Sequence, residues 1–304
     1  MMGTKKYIRY TWLVLGMVFL VILAGGVVRM TQSGMGCPDW PTCFGRWIPP
    51  THISQLPPDF EKYLKKQDID HTFNAYHTWI EYINRLLGAL LGIFIFIHFI
   101  WSFIKFRKTS SRIVGLSFLL LVAVGFQGWL GKKVVDDNLA VVKVTVHMLV
   151  ALAIAAIPLL IINRLKEDKR TNDRTLKHLS TIMILFLLIQ IILGTQVREQ
   201  IDEISRALKY DQRELWVSRL DNIFILHRSF SWLVAGICIL LWWKARVFPV
   251  LYKKGVWIVS IVLLSIVSGV IMAYYNIPAL AQPLHLLLAS ILVMIAFSFR
   301  LSLK

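Results

Sequence analysis

The sequence withholds several features that would place it in familiar classes. No segment of about ten residues alternates apolar and polar side chains, which excludes an outer-membrane β-barrel. The cysteines are few, three in 304 residues. Only Cys37 and Cys43 stand close together, and neither a second pair nor a nearby histidine completes a tetrahedral zinc set. No small-residue cleavage site follows the first apolar run, which ends Gly25-Gly26-Val27-Val28-Arg29, so that run is expected to stay as an anchor. Acidic residues are scarce too, 17 against 34 Lys and Arg, for a net charge of +17.

Apolar residues are abundant instead, at 57% of the chain with a mean hydropathy of +0.63. That is not the composition of a soluble domain. A bilayer core takes roughly 20 apolar residues per helix. Spans are read at 10–30, 78–104, 112–131, 141–163, 178–197, 222–243, 255–275 and 282–299. The expected fold is an all-α integral membrane protein with eight transmembrane helices.

The positive charge is distributed by side. The N-terminus, the 105–112, 164–177 and 244–254 loops and the C-terminal tail hold 19 basic residues against three acids, Glu167, Asp168 and Asp173. The other side keeps 15 basic and 14 acidic residues (34 − 19 and 17 − 3). This asymmetry predicts that both termini are cytoplasmic. It makes the basic excess a matter of topology, with the lipid bilayer and not nucleic acid as the partner.

Two outer loops stand out. The first, 31–77, opens TQSGMGCPDWPTCFGRWIPP and turns charged around Asp59–Asp70. Cys37 and Cys43 bracket PDWPT on the oxidising side, as a structural disulfide or as a reversible redox pair. The second, 198–221, spaces Ile201, Ile204, Leu208, Leu215 and Leu220 among mixed charges, which reads as one or two short amphipathic helices at the interface. Cys238, mid-span, reads as a small core residue.

The chain also reads as an internal duplication. Gly25–Arg29 aligns with Gly194–Arg198, Asn84-Arg85 with His227-Arg228, Gln127-Gly128 with Ser268-Gly269, and His147 with His285, at offsets of 169, 143, 141 and 138 residues. Four matches in one order predict two pseudo-symmetric four-helix bundles, 1–170 and 171–304. Because each has an even number of helices, a two-fold axis along the membrane normal should relate them.

The duplicated positions are where chemistry is expected. His147, His227 and His285 all fall within about two turns of the outer end of a helix, where neutral imidazoles can hold haem iron. His98, mid-span and without a counterpart, reads as a core residue, and His52, His71 and His178 as solvated loop residues. Arg29, Arg85, Arg198 and Arg228 lie near the same boundary. They can hold haem propionates through bidentate hydrogen bonds, or snorkel to headgroups.

The halves differ where it matters. Glu81 aligns with Phe224 and Asn84 with His227, so the first half has an acid and one matched histidine, the second two histidines and no acid. His77, Glu81 and Asn84 share a helical face. Two histidines close an iron's coordination and suit electron transfer. One histidine beside a carboxylate leaves a position open and a proton acceptor at hand. Alternatively, Glu81 pairs with Arg85 at i+4.

The segments GGVVRMTQSGMGCPDWPTCFGRW, EYINRLLG, GTQVREQID and HRSFSW, together with His147 and His285, resemble the haem A synthases over nearly the whole chain. The resemblance implies a C-terminal half carrying haem b on His227 and His285. It implies haem O as substrate in the N-terminal half, its ring methyl oxidised through a hydroxymethyl to a formyl group to give haem A for cytochrome oxidase. It places the family's essential glutamate on Glu81 and its cysteine pair on Cys37 and Cys43. It also implies a bacterial cytoplasmic membrane, exchange with haem O synthase and cytochrome oxidase assembly proteins, and room for homo-oligomers. The sequence departs from the family at Asn84, which stands in a histidine position. Either His147 is the only axial ligand in that half or His77 contributes. The competing functional classes are a two-haem cytochrome b without substrate chemistry, and a transporter, which would need helices broken at mid-membrane.

Overall fold

The computed structural model describes residues 2–64, 73–137, 139–166 and 170–304. His71, Glu167, Asp168 and the end of the charged Asp59–Asp70 run lie outside the described residues. Among the described residues, eight helices are long and apolar enough to cross a membrane. They are α1 (Met2–Met30), α3 (Ala75–Phe106), α4 (Ser111–Asp136), α5 (Val141–Leu165), α6 (Arg174–Ala207), α7 (Asn222–Ala245), α8 (Pro249–Tyr274) and α9 (Ala281–Leu301). A single-turn helix, α2 (Glu61–Leu64), lies in the first long loop. No sheet forms among the described residues; the two isolated bridges join Cys43 to Arg46 and Thr171 to Leu303. The protein is an all-α integral membrane protein.

Local chemistry sets the helix starts that later position the site. The Asn74 side chain accepts from the amides of Tyr76 and His77 and opens α3. Asp221 accepts from Ile223 at 2.8 Å and opens α7, and Asp173 does the same for α6 through Leu176 at 2.8 Å. These are N-cap bonds, which satisfy amides left without intrahelical partners. Pro249 at the first turn starts α8 six residues before the apolar run alone suggested.

One expectation needs correction. The 198–221 segment does not begin a separate interfacial helix, because α6 continues unbroken to Ala207. An Arg198–Asp202 pair at 2.7 Å, spaced i, i+4, supports the continuation, and Ile201 is buried against Trp216 and Ile277. Lys209, Tyr210 and Gln212 then adopt positive φ (51°, 63° and 50°) and end the run. A short 3₁₀ turn at Arg213–Leu215 follows, and the Arg213 guanidinium donates to the Ile277 carbonyl at 2.7 Å.

The chain divides into two compact units, with the division between Ile154 and Ala155 inside α5. In Met2–Ile154, α1 packs on α3 and α3 on α4, around Val14, Val18, Leu91, Ile95 and Leu120. A fully buried polar group sits among them. The Tyr7 hydroxyl meets Ser117 at 3.0 Å, and Thr11 meets His98 at 3.1 Å. In Ala155–Lys304, α6 packs on α7, α7 on α8, α8 on α9 and α9 back on α6, which closes a four-helix bundle. Met183, Cys238, Leu241, Ile258 and Phe299 fill it. Its last turn is tied down by Lys254, whose ammonium donates to the Ser298 carbonyl and to the Ser298 and Ser302 hydroxyls at 2.8–2.9 Å.

Candidate functional site

In the first unit the loop before α3 folds back onto the helix that carries His77, Glu81, Asn84 and Arg85. Cys37 and Cys43 form a disulfide. Both are fully buried with Phe44, under Leu56, Phe60, Tyr63, Phe73 and Tyr82. Asp39 organises the turn between them, accepting from the Phe44 amide at 2.6 Å, the Gly45 amide at 2.9 Å and the Thr42 hydroxyl. Gly36 comes so close to α3 that a Cβ would run into the backbone of His77 and Thr78. The Thr78 hydroxyl donates to the Gly36 carbonyl at 2.9 Å.

Arg85 is the bolt of this assembly. Its Nη1 donates to the carbonyls of Asp39 (2.5 Å) and Thr42 (3.1 Å), and its Nη2 to that of Cys37 (2.7 Å). Nη2 and Nε also reach Glu81 Oε1 at 2.5 and 3.2 Å. A guanidinium has five N–H donors, and all five are engaged. Glu81 Oε2 accepts from the Cys37 amide at 2.6 Å. The i, i+4 pairing considered from the sequence is therefore present, and it is buried. Glu81 is the one buried acid among the described residues. Arg85 has no donor left for a propionate in this arrangement.

The neighbouring groups are less occupied. Ser33 meets His77 Nδ1 at 3.0 Å. Asn84 Oδ1, Trp79 Nε1, Gln127 Oε1 and His147 Nδ1 are buried without a partner, although such groups are usually satisfied in native interiors. Gln127 does donate through Nε2 to the backbone carbonyl of His147 at 2.9 Å. The His147 ring lies against Gly131, where a Cβ would stand 3.4 Å from Cε1.

In the second unit His227 and His285 face each other, with ring centroids 6.4 Å apart. Each lies over a glycine. A Cβ on Gly194 would stand 3.2 Å from His227 Cε1, and one on Gly269 3.5 Å from His285 Cε1. Gln190 donates to the His227 carbonyl at 3.0 Å, and Ser268 meets His285 Nδ1 at 2.8 Å. The ring planes stand at 67° to one another, and the two imidazoles are close enough to be candidate ligands of one metal ion. Arg228 is exposed and stands 5.8 Å from the Phe224 ring. Arg198 is held by Asp202 and by Gln282 Oε1 at 2.6 Å.

The family model described as cytochrome oxidase assembly protein matches residues 8–297. The chain belongs to the haem A synthase family. Curated haem A synthases align along it. One from Neorickettsia sennetsu is 26% identical over 95% of this chain and 97% of its own length. One from Flavobacterium psychrophilum is 23% identical over 93% and 94%. A third, from Shewanella oneidensis, is 30% identical over 60% of this chain and 55% of its own. From the sequence, the disulfide-closed loop was legible, and the structure brings His227 and His285 together. The sequence missed Arg85's grip on three loop carbonyls, which required knowing that residues 37–42 return to α3.

Proposed function

We propose that the protein is a haem A synthase, oxidising the ring methyl of haem O through a hydroxymethyl to a formyl group. Membership of the family supports the reaction. The observation that carries the division of labour is the His227–His285 pair, whose 6.4 Å spacing and glycine seats suit an iron held between two imidazoles. We assign haem b to that pair, in the half 171–304. Bound there, it supplies one-electron transfer.

The half 1–170 then takes the substrate. His147 would hold its iron, and Asn84 Oδ1 and Trp79 Nε1, buried without partners, would give that half polar groups toward it. Glu81 is the proton acceptor, and the Arg85 fork with the Cys37 amide fixes its orientation. The disulfide-closed loop covers this end of α3 and keeps water from the carboxylate. Arg228 is the best-placed propionate partner in the second half, because among the described residues no side-chain carboxylate engages it; Arg29 is retained for the first. Both termini are cytoplasmic in this reading, with the bilayer a bacterial cytoplasmic membrane. Haem O arrives from its synthase and haem A leaves toward cytochrome oxidase assembly.

Mass analysis of haems extracted from a host that makes haem O but lacks its own haem A synthase tests the function. Expression should convert haem O to haem A. Unchanged haem O alongside a protein loaded with two haems would favour the two-haem cytochrome b instead.

A further inference from the structure

Ser268 and Ser265, one turn apart on α8, form a short relay behind His285. Ser268 Oγ lies 2.8 Å from the Ser265 carbonyl oxygen and 2.8 Å from His285 Nδ1. A hydroxyl has one proton to give. A carbonyl oxygen only accepts, so the proton of Ser268 goes to Ser265. Toward His285, Ser268 must then accept, and Nδ1 must carry the ring proton. In neutral imidazole the lone pair is consequently on Nε2. The partner ring differs, since no hydroxyl meets His227 Nδ1; Gln190 beside it donates from its side chain to the His227 carbonyl and turns its own main chain toward the ring.

We propose that Ser268 is a positioning residue that locks His285 in the Nδ1–H tautomer, presents Nε2 to the iron and raises that imidazole's electron donation. The proposal rests on His285 being a haem ligand. Ligating histidines generally donate their second N–H to such an acceptor, and losing it costs about 10–100-fold in metal affinity. Gln127 occupies the position aligned with Ser268, yet it bonds the backbone of His147 and not the ring. The His147 ring sits against Gly131 and not against Gly128, the counterpart of Gly269. Of the aligned pair His147 and His285, only His285 has a hydroxyl on its ring Nδ1, so the bond distinguishes the two rings.

The test compares purified, haem-loaded wild-type protein with Ser268→Ala and Ser268→Thr. The readouts are haem retention, the reduction potential from optical titration, and the low-spin ferric resonance spectrum. Weaker donation disfavours ferric iron. About a tenfold loss of ferric relative to ferrous affinity reads as an upward shift of about 59 mV for one electron. Ser268→Ala should show a shift of that order with altered ferric resonances, and Ser268→Thr, which keeps the hydroxyl, should return both toward wild type. Ser268→Cys, of similar volume and with a weak acceptor, replaces Ala if Ala does not accumulate and should also shift upward. A wild-type potential in Ala and Cys overturns the proposal, as does an equal shift in Thr. A wild-type haem spectrum in His285→Ala overturns the ligand reading itself, and that result is distinct from either outcome at Ser268.

Discussion

Replacing Arg85 probes the loop–helix junction most sharply. Arg85→Lys keeps the charge but offers three donors in place of five, without a planar fork. It can retain Glu81 or the loop carbonyls of Cys37, Asp39 and Thr42, not all of them. Net hydrogen bonds are worth about 0.5–1.5 kcal/mol each, and more when charged. Two or more lost bonds therefore cost about 1–3 kcal/mol. Arg85→Ala goes further and leaves Glu81, with its side chain 5% exposed, as an uncompensated buried charge. Breaking such a pair typically costs about 3–5 kcal/mol. The penalty falls on docking of the 31–48 segment, because the bonds run to it. Hydrogen exchange at the Cys37 and Phe44 amides should accelerate by roughly one order of magnitude in Lys and two or more in Ala. The disulfide should remain closed and the α6–α9 bundle should keep its protection. Unchanged exchange at Cys37 in Arg85→Ala would refute the bolt.

Glu81→Gln should slow haem O conversion by about 10²–10⁴-fold while haem b content stays at the wild-type level; normal conversion removes the proton-acceptor role. Asn84→Ala should be milder than His147→Ala in substrate-haem binding, because only the second deletes the imidazole. Equal loss in both would make Asn84 a direct participant. Gly194→Ala places a methyl 3.2 Å from His227 Cε1, so the ring must give way. The expected result is a changed low-spin haem spectrum without loss of folded protein, and a spectrum identical to wild type would contradict the glycine seat.

The spans were legible because a helix crossing hydrocarbon must satisfy its own backbone and stay apolar for its whole length. Their ends were not. The extension of α6 to Ala207 depends on Ile201 finding Trp216 and Ile277, which are remote in sequence. The start of α8 turned on one proline. The histidines drew attention in the sequence because ionisable groups within spans are rare and expensive. The inequality of their seats was hidden. Gln127 aligns with Ser268 in the repeat, but the two side chains do different things. A shift of three residues along α4, from Gly128 to Gly131, brings the glutamine to a carbonyl and leaves the ring nitrogen alone. Glu81 showed its pairing with Arg85 in its spacing, but nothing in the spacing said that the pair would hold a loop.

In the proposed division of labour, one haem is held between His227 and His285 while substrate chemistry occurs in the other half. Optical and resonance spectra of purified His227→Ala and His285→Ala, read beside the Glu81→Gln protein, test it most directly. Each histidine variant should lose the low-spin bis-imidazole signal, whereas Glu81→Gln should keep it in full. A complete bis-imidazole spectrum in both histidine variants would contradict that division of labour.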